Sequence, residues 1–222
     1  MSDGDRMLEA LQARRSEREF TDEPVPKEKL ERLLAAAISA PSATNRQPWR
    51  FAVVRSAALR RRLVEAVRER ALAMSEVIKR SHHAAEFTAY DEFFFEPLVG
   101  AQVIVVPQYR PHADLVENLL VSAGADPAAY DTPAGMQPEL CATSAAVMAL
   151  LLQAHAEGLG ACWMAGPMVA RRDVEALLGI SPPWRMVGAV AVGFPARRAE
   201  PKGRRPLDRA AVWFDDPPGD DG

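Results

Sequence analysis

Two apolar runs leave this chain little freedom. Gln102 to Val106 reads Gln-Val-Ile-Val-Val, and Met186 to Val192 reads Met-Val-Gly-Ala-Val-Ala-Val. Neither alternates polar with apolar residues, so neither offers a face to water. Each reads as a strand covered on both sides. Pro107 is expected to close the first, and Gly193 and Pro195 the second. Phe51–Val54 and Ala161–Met164 read as two further strands. The cover must come from helices, and the sequence supplies them. Leu30, Leu33, Leu34, Ala37 and Ile38 form a helical stripe between Lys27 and Ala40. Leu59, Leu63, Val67, Ala71, Met74 and Ile78 do the same over 56–80, and a short helix spans Arg171–Leu178. Glu139 to Glu157 is apolar almost all round, which marks a central buried helix or part of a dimer interface. Asp5–Arg14 reads as a first helix with Met7, Leu8 and Leu11 on one side. Helices alternating with strands make the class α/β or α+β in one domain. At 222 residues the chain can bury about 70% of its unfolded surface.

Composition excludes several classes. A net charge of −3 argues against a general nucleic-acid binder, which presents a basic face. No unbroken apolar run approaches about 18 residues, so no membrane span is expected. Met1-Ser2-Asp3-Gly4-Asp5 is acidic and lacks the form of a signal peptide. Cys141 and Cys162 form no zinc or redox motif, so reduced thiols and a cytoplasmic location are the simplest reading. His83-Ala84-Ala85-Glu86 begins a metal-binding helix pattern, but Phe87 follows and the second histidine is missing; no metal is expected. A P-loop and a serine-hydrolase elbow are absent. Gly158-Leu159-Gly160-Ala161-Cys162-Trp163 is not a dinucleotide fingerprint, because Trp163 stands where the third glycine belongs. Cys162 reads as a small buried hydrophobe and His155 as a structural histidine.

The stretches that could carry chemistry lie elsewhere. Pro41-Ser42-Ala43-Thr44-Asn45-Arg46-Gln47-Pro48-Trp49 is bounded by prolines that stop a helix and force an extended residue. Its small amide and hydroxyl side chains offer hydrogen bonds in both directions, with no acid among them. That suits a flat polar ring such as a flavin; it equally suits an ordinary helix-to-strand connection. Arg14-Arg15-Ser16-Glu17-Arg18 follows the first helix. Cations there complement the helix dipole, and arginine forks with a serine hydroxyl also suit a phosphate. Tyr90, Phe93, Phe94 and Phe95 form an aromatic patch that is either core or the wall of a substrate pocket. Residues 108–138 are a long excursion, an insertion or a lid, with one short helix at Leu115–Val121. The C-terminal part turns basic at Arg197, Arg198, Lys202, Arg204 and Arg205, and the acidic residues 215–222 are expected to be a disordered tail.

Taken together, these stretches resemble the nitroreductase family of FMN-dependent NAD(P)H oxidoreductases from about Arg14 to Val212. Arg14-Arg15-Ser16-Glu17-Arg18-Glu19-Phe20 is similar to the family's opening basic-Ser-x-basic motif. Pro41 to Trp49 is similar to its Pro-Ser-x-x-Asn-x-Gln-Pro-Trp signature and is the most specific match. Gly158 to Trp163 resembles its Gly-Leu-Gly-x-x-Trp run, and Arg204-Arg205-Pro206-Leu207-Asp208 its C-terminal basic-Pro-Leu motif.

The resemblance implies an α+β, three-layer fold: a mixed central sheet wrapped by helices, over a single domain 1–214. It implies a homodimer with FMN at the interface. Arg14, Arg15, Ser16 and Arg18 would hold the phosphate, ribityl chain and pyrimidine edge, with Arg204 or Arg205 adding charge at the phosphate. Arg18 or Arg15 would stabilise the anionic reduced flavin. Pro41, Ser42, Ala43, Asn45 and Gln47 would line the ring from the partner chain. Met164, Ala165 and Gly166 would pass near its reactive nitrogen. Tyr90, Phe93 and Phe94 would border the substrate. The implied reaction is ping-pong: NADH or NADPH gives a hydride to the flavin, and a small acceptor (nitro compound, quinone or unsaturated carbonyl) receives it, with no side chain acting as acid or base. Ala165 departs from members that carry an acid at that position. A dehalogenase, a dehydrogenase, an enzyme of deazaflavin-cofactor biosynthesis and a non-catalytic flavin-binding module stand as alternatives.

Overall fold

In the computed structural model, which describes residues 1–82, 92–200 and 203–213, a sheet lies between two layers of helices. The elements are α1 (Asp3–Ala13), α2 (Lys27–Ile38), β1 (Trp49–Val54), α3 (Ala57–Ile78), α4 (Glu96–Val99), β2 (Val103–Tyr109), α5 (Leu115–Ser122), α6 (Pro138–Ala156), β3 (Gly160–Met164), α7 (Arg171–Leu178), β4 (Arg185–Met186) and β5 (Ala189–Gly193). Strand order is β1-β2-β5-β3, with β4 also paired to β2. All pairings between these strands are antiparallel. The parallel component expected of a mixed sheet is a bridge at the β3 edge, Ser16 against Ala161.

The apolar runs are buried on both faces, as their lack of alternation requires. On one side Ile104, Val106, Cys162, Met164 and Ala191 pack with Leu63 and Val67 of α3, Leu98 of α4 and Val174 of α7. On the other, Val103, Val105, Val190 and Val192 pack with Leu30 and Leu33 of α2 and with Ala146, Val147, Leu150 and Leu151 of α6. Each fully buried valine or leucine contributes about 1.5–3 kcal/mol against an exposed one. Ala134–Ala156, which includes α6, has the length and composition of a membrane span, but in the fold it is this central layer helix. Lys29 and Arg32 of α2 tie it down by ion pairs to Glu157, at 3.2 and 2.5 Å. The arginine fork and Lys29 hold the Glu157 carboxyl down at about 2.

Two strand expectations need correction. Pro107 does not close β2, which runs on to Tyr109 with Pro107 paired opposite Phe51. Its carbonyl accepts from Val187 N–H at 2.9 Å, so its missing N–H faces the junction of β4 and β5, where no ladder bond is needed. The run 186–192 is likewise not one strand: it breaks at Val187–Gly188. Gly188 has φ +91°, and a Cβ there would lie 2.3 Å from the Met164 carbonyl oxygen, so the break requires glycine.

α1 forms as expected, closed by a capping box between Ser2 and Asp5, but Met7, Leu8 and Leu11 are exposed. The excursion contains α5 and two short turns, Pro127–Ala129 and Pro133–Met136. Tyr90, the His83–Glu86 motif and the tail 215–222 lie outside the described residues.

Candidate functional site

The basic cluster is built by the edge of the sheet. After α1 ends, the chain runs extended, and Glu17 N–H donates to the Ala161 carbonyl of β3 at 3.1 Å. The Glu17 side chain is buried and accepts from Ala199 N–H at 2.9 Å. Thr21 N–H donates to Phe194, and Ala196 N–H to Glu19. The segment after β5 therefore lies along the one after α1. Gly160 makes the approach possible: a Cβ there would sit 2.7 Å from the Glu17 Cβ.

Arg14, Arg15 and Arg18 are each partly buried at this edge. Arg15 Nη1 donates to the Arg14 carbonyl at 2.9 Å and to Gln12, and Arg18 Nη1 donates to Ser16 at 3.3 Å. The Nε atoms of all three are buried and have no hydrogen-bond partner among the described residues. His155 of α6 stands beside the cluster: burial, then the charges of Arg198 and Arg14, push its imidazole below the usual range. Burial pushes the Cys162 thiol up, against the pull of Arg18 and Arg14, as befits a core residue. Arg204 and Arg205 are exposed, and Arg204 Nη1 donates to Gly203 within its own segment at 3.4 Å. Among the described basic residues after β5, Arg197 pairs with Glu19 at 2.6 Å, and the charge that bears on His155 is that of Arg198. Arg198 and His155 were not singled out as site residues from the sequence; the basic run at 197–205 was the one available signal.

The end of β3 lies on the same edge. The Met164 side chain points into the core, so only its backbone borders the surface; Ala165 is exposed and Gly166 half-buried. A Cβ on Gly166 would meet the Phe94 Cα at 2.8 Å. The Arg18 guanidinium lies 5.1 Å from the Phe93 ring centre. Phe93 and Phe94 thus join the cluster to the strand end. Trp163, exposed along one side, donates Nε1–H to the Val187 carbonyl at 2.9 Å.

Pro41–Trp49 is shaped from within. Ser42 Oγ accepts from Gln47 N–H at 3.0 Å, and Gln47 Nε2 donates to Asn45 Oδ1 at 3.3 Å. Thr44, Asn45 and Gln47 all have positive φ, at 51°, 54° and 47°. Such backbone costs about 1–3 kcal/mol per residue and persists where the surroundings dictate it. Buried Trp49 anchors one end. Arg46 Nη1 reaches Glu139 of α6 at 3.4 Å, and His112 of the excursion faces the same carboxylate at 3.8 Å. Glu139 and His112 line a cavity of about 320 Å³ with Tyr109, Glu117, Gln137 and Arg185.

Within one chain the loop and the cluster are apart. The loop enters β1 at one edge of the sheet, and the cluster is pinned to β3 at the other. The register puts Trp49 roughly 20 Å from the Ala161 level along the strands and roughly 14 Å across them, some 25 Å in all.

A model of the family described as "Nitroreductase family" matches residues 11–194. The chain is 28% identical over 200 residues to an NADH dehydrogenase of Thermus thermophilus, covering 90% of this chain and 92% of that one. Its fold matches a BluB-like flavoprotein from Clostridium difficile 630 with TM-score 0.84 at 20% identity, over 94% and 98% of the two chains. It also matches a Desulfovibrio desulfuricans protein described as a nitroreductase and solved in complex with FMN. There the TM-score is 0.64 and the identity 26%, over 95% and 97% of the chains.

Proposed function

The chain belongs to the nitroreductase family, a family of flavoprotein oxidoreductases, and from that premise we propose that it uses FMN to carry electrons from NADH or NADPH to a small acceptor. The acceptor class is a nitro compound, a quinone or an unsaturated carbonyl. The observation that carries the reading is the set of three buried, unpaired Nε–H groups on Arg14, Arg15 and Arg18. A buried donor without a partner costs about 1–3 kcal/mol, so three in one cluster call for an acceptor that arrives from outside. FMN fits: its phosphate takes charge-assisted bonds from arginine forks, and the carbonyl oxygens of its pyrimidine edge can accept from Arg18.

FMN, when bound, would supply the hydride chemistry. The chain's own residues bind and orient. Arg14, Arg15, Ser16 and Arg18 hold the phosphate, the ribityl chain and the pyrimidine edge. Arg198 and His155 stand behind them, and Arg204 or Arg205 closes over the phosphate. Ala165, Gly166 and the Met164 backbone border the ring, with Phe93 and Phe94 walling the substrate side. Pro41, Ser42, Ala43, Asn45 and Gln47 come from a second copy of the chain. The separation of some 25 Å supports this, since one small cofactor is poorly placed to touch both halves of one chain. The protein is then a homodimer, each protomer one domain over 1–214. Segment 108–138 acts as a lid carrying His112 beside the loop. With reduced cysteines, the protein works in the cytoplasm.

The test begins with FMN titration of the purified protein by fluorescence quenching. Replacing Arg14 and Ser16 with Ala is expected to lower FMN occupancy with the thermal midpoint kept. Unchanged occupancy would reduce the cluster to a helix end. Anaerobic stopped-flow mixing with NADH and with NADPH follows. Flavin bleaching no faster with either nucleotide than without would sink the reductant assignment.

A further inference from the structure

Phe93, Phe94 and Phe95 are consecutive, yet each ring has a different partner. Phe93 faces the Arg18 guanidinium, Phe94 closes on Gly166, and buried Phe95 takes the Arg68 guanidinium at 5.0 Å. One short turn therefore touches the basic cluster, the end of β3 and α3. Phe93 is 47% exposed, so burial alone does not explain a ring at that position. Arg18, for its part, is loosely held among the described residues: a 3.3 Å bond to the Ser16 carbonyl and a buried Nε with no partner there. The Phe93 ring is the broad contact left to fix the plane of the guanidinium.

We propose that Phe93 is a positioning residue: it holds Arg18 with its charge toward the pyrimidine edge of the flavin and thereby sets the reduction potential of the bound cofactor. The proposal rests on the reading of Arg14–Arg18 as the FMN cluster. A guanidinium held at a partly buried edge acts through a low effective dielectric, whereas one free to swing into water is strongly screened. A fixed Arg18 favours whichever form of the cofactor carries more negative charge. The ring contributes through its electron-rich face, which attracts the guanidinium without a hydrogen bond.

The test uses the full chain with Phe93→Leu, which keeps apolar bulk, and Phe93→Tyr, which keeps the ring. The affinity for oxidised FMN and the midpoint potential of the bound flavin are measured against a redox dye. Phe93→Leu is expected to reduce the preference for reduced over oxidised FMN by about tenfold, which is a shift of about −30 mV for a two-electron couple. Phe93→Tyr is expected to stay at the wild-type potential. In an Arg18→Gln background, Phe93→Leu is expected to add nothing, because the two act as one unit. The thermal midpoint of Phe93→Leu stays near wild type, since the side chain is half exposed. A wild-type potential in Phe93→Leu overturns the proposal, as does the same shift with Arg18 already gone. A wild-type chain with no affinity for FMN overturns the cofactor reading itself, whereas normal FMN binding with an unmoved potential overturns the role of Phe93 alone.

Discussion

Adding one carbon at Gly160 is expected to disturb a cluster that the residue never touches directly. A Cβ there would lie 2.7 Å from the Glu17 Cβ, 3.0 Å from its Cγ and 3.3 Å from Phe20 Cε1. Glu17 is 4% exposed, so it has no room to retreat while keeping its bond to Ala199. The segment carrying Arg14, Ser16 and Arg18 must move away from β3. Overpacking of this kind costs about 1–3 kcal/mol. At this chain length that lowers the thermal midpoint by about 3–10 °C. If the shift also costs the phosphate one charge-assisted bond, FMN affinity falls about tenfold or more. Gly158→Ala is the control. Gly158 has φ +75° but open space around the missing Cβ, so alanine there brings strain of about 1–2 kcal/mol without pushing Glu17. Differential scanning calorimetry and FMN titration of both variants decide the matter. Gly160→Ala is expected to lose stability and affinity, and Gly158→Ala stability alone. Wild-type FMN affinity in Gly160→Ala, or equal loss in both variants, would refute the reasoning.

Three further predictions concern other parts of the molecule. The Glu157 carboxyl sits at about 2 in the fold, below its unfolded value, so its stabilisation is complete above roughly pH 4.5 and fades as pH falls toward 2. Denaturant unfolding at several pH values is expected to show Glu157→Gln less stable than wild type near neutrality, with the gap closing through that window; a gap independent of pH would exclude the ion pairs as its cause. Thr44→Gly relieves a β-branched residue at φ 51° and is expected to raise the thermal midpoint by about 2–4 °C, as read by calorimetry; an unchanged or lowered midpoint would show that the conformation is not strained. Unfolding and refolding a mixture of an Arg14→Ala chain and an Asn45→Ala chain is expected to restore about a quarter of the intact FMN sites, because mixed dimers hold one complete site each. No restoration would place both halves of the site in the same chain.

Much of the framework was legible in the residues. The α2 and α3 stripes followed from periodicity and the doubly buried runs from their lack of alternation, both of which burial enforces directly. Pro107 and Gly188 were not legible, because the tolerance for a missing N–H at one depends on the strand break at the other, and neither reveals its neighbour. The positive φ of Thr44, Asn45 and Gln47 was invisible for a related reason: none is glycine, and the tertiary setting imposes the conformation. In the candidate site, the arginines of 14–18 stood out by composition. Arg198 was one of a basic run and His155 one residue of a buried helix; backbone pairings such as Ser16 with Ala161, Ala196 with Glu19 and Ala199 with Glu17 are what bring those segments together.

The Glu17–Ala199 bond also fixes when the site can exist. It joins residues 182 positions apart, and closing a loop of that length costs about 4–5 kcal/mol of chain entropy before any contact rewards it. During synthesis the arginines beside Glu17 leave the ribosome 182 residues ahead of the backbone that seats it. A nascent chain halted before residue 199 therefore carries its arginines without the frame that aims them.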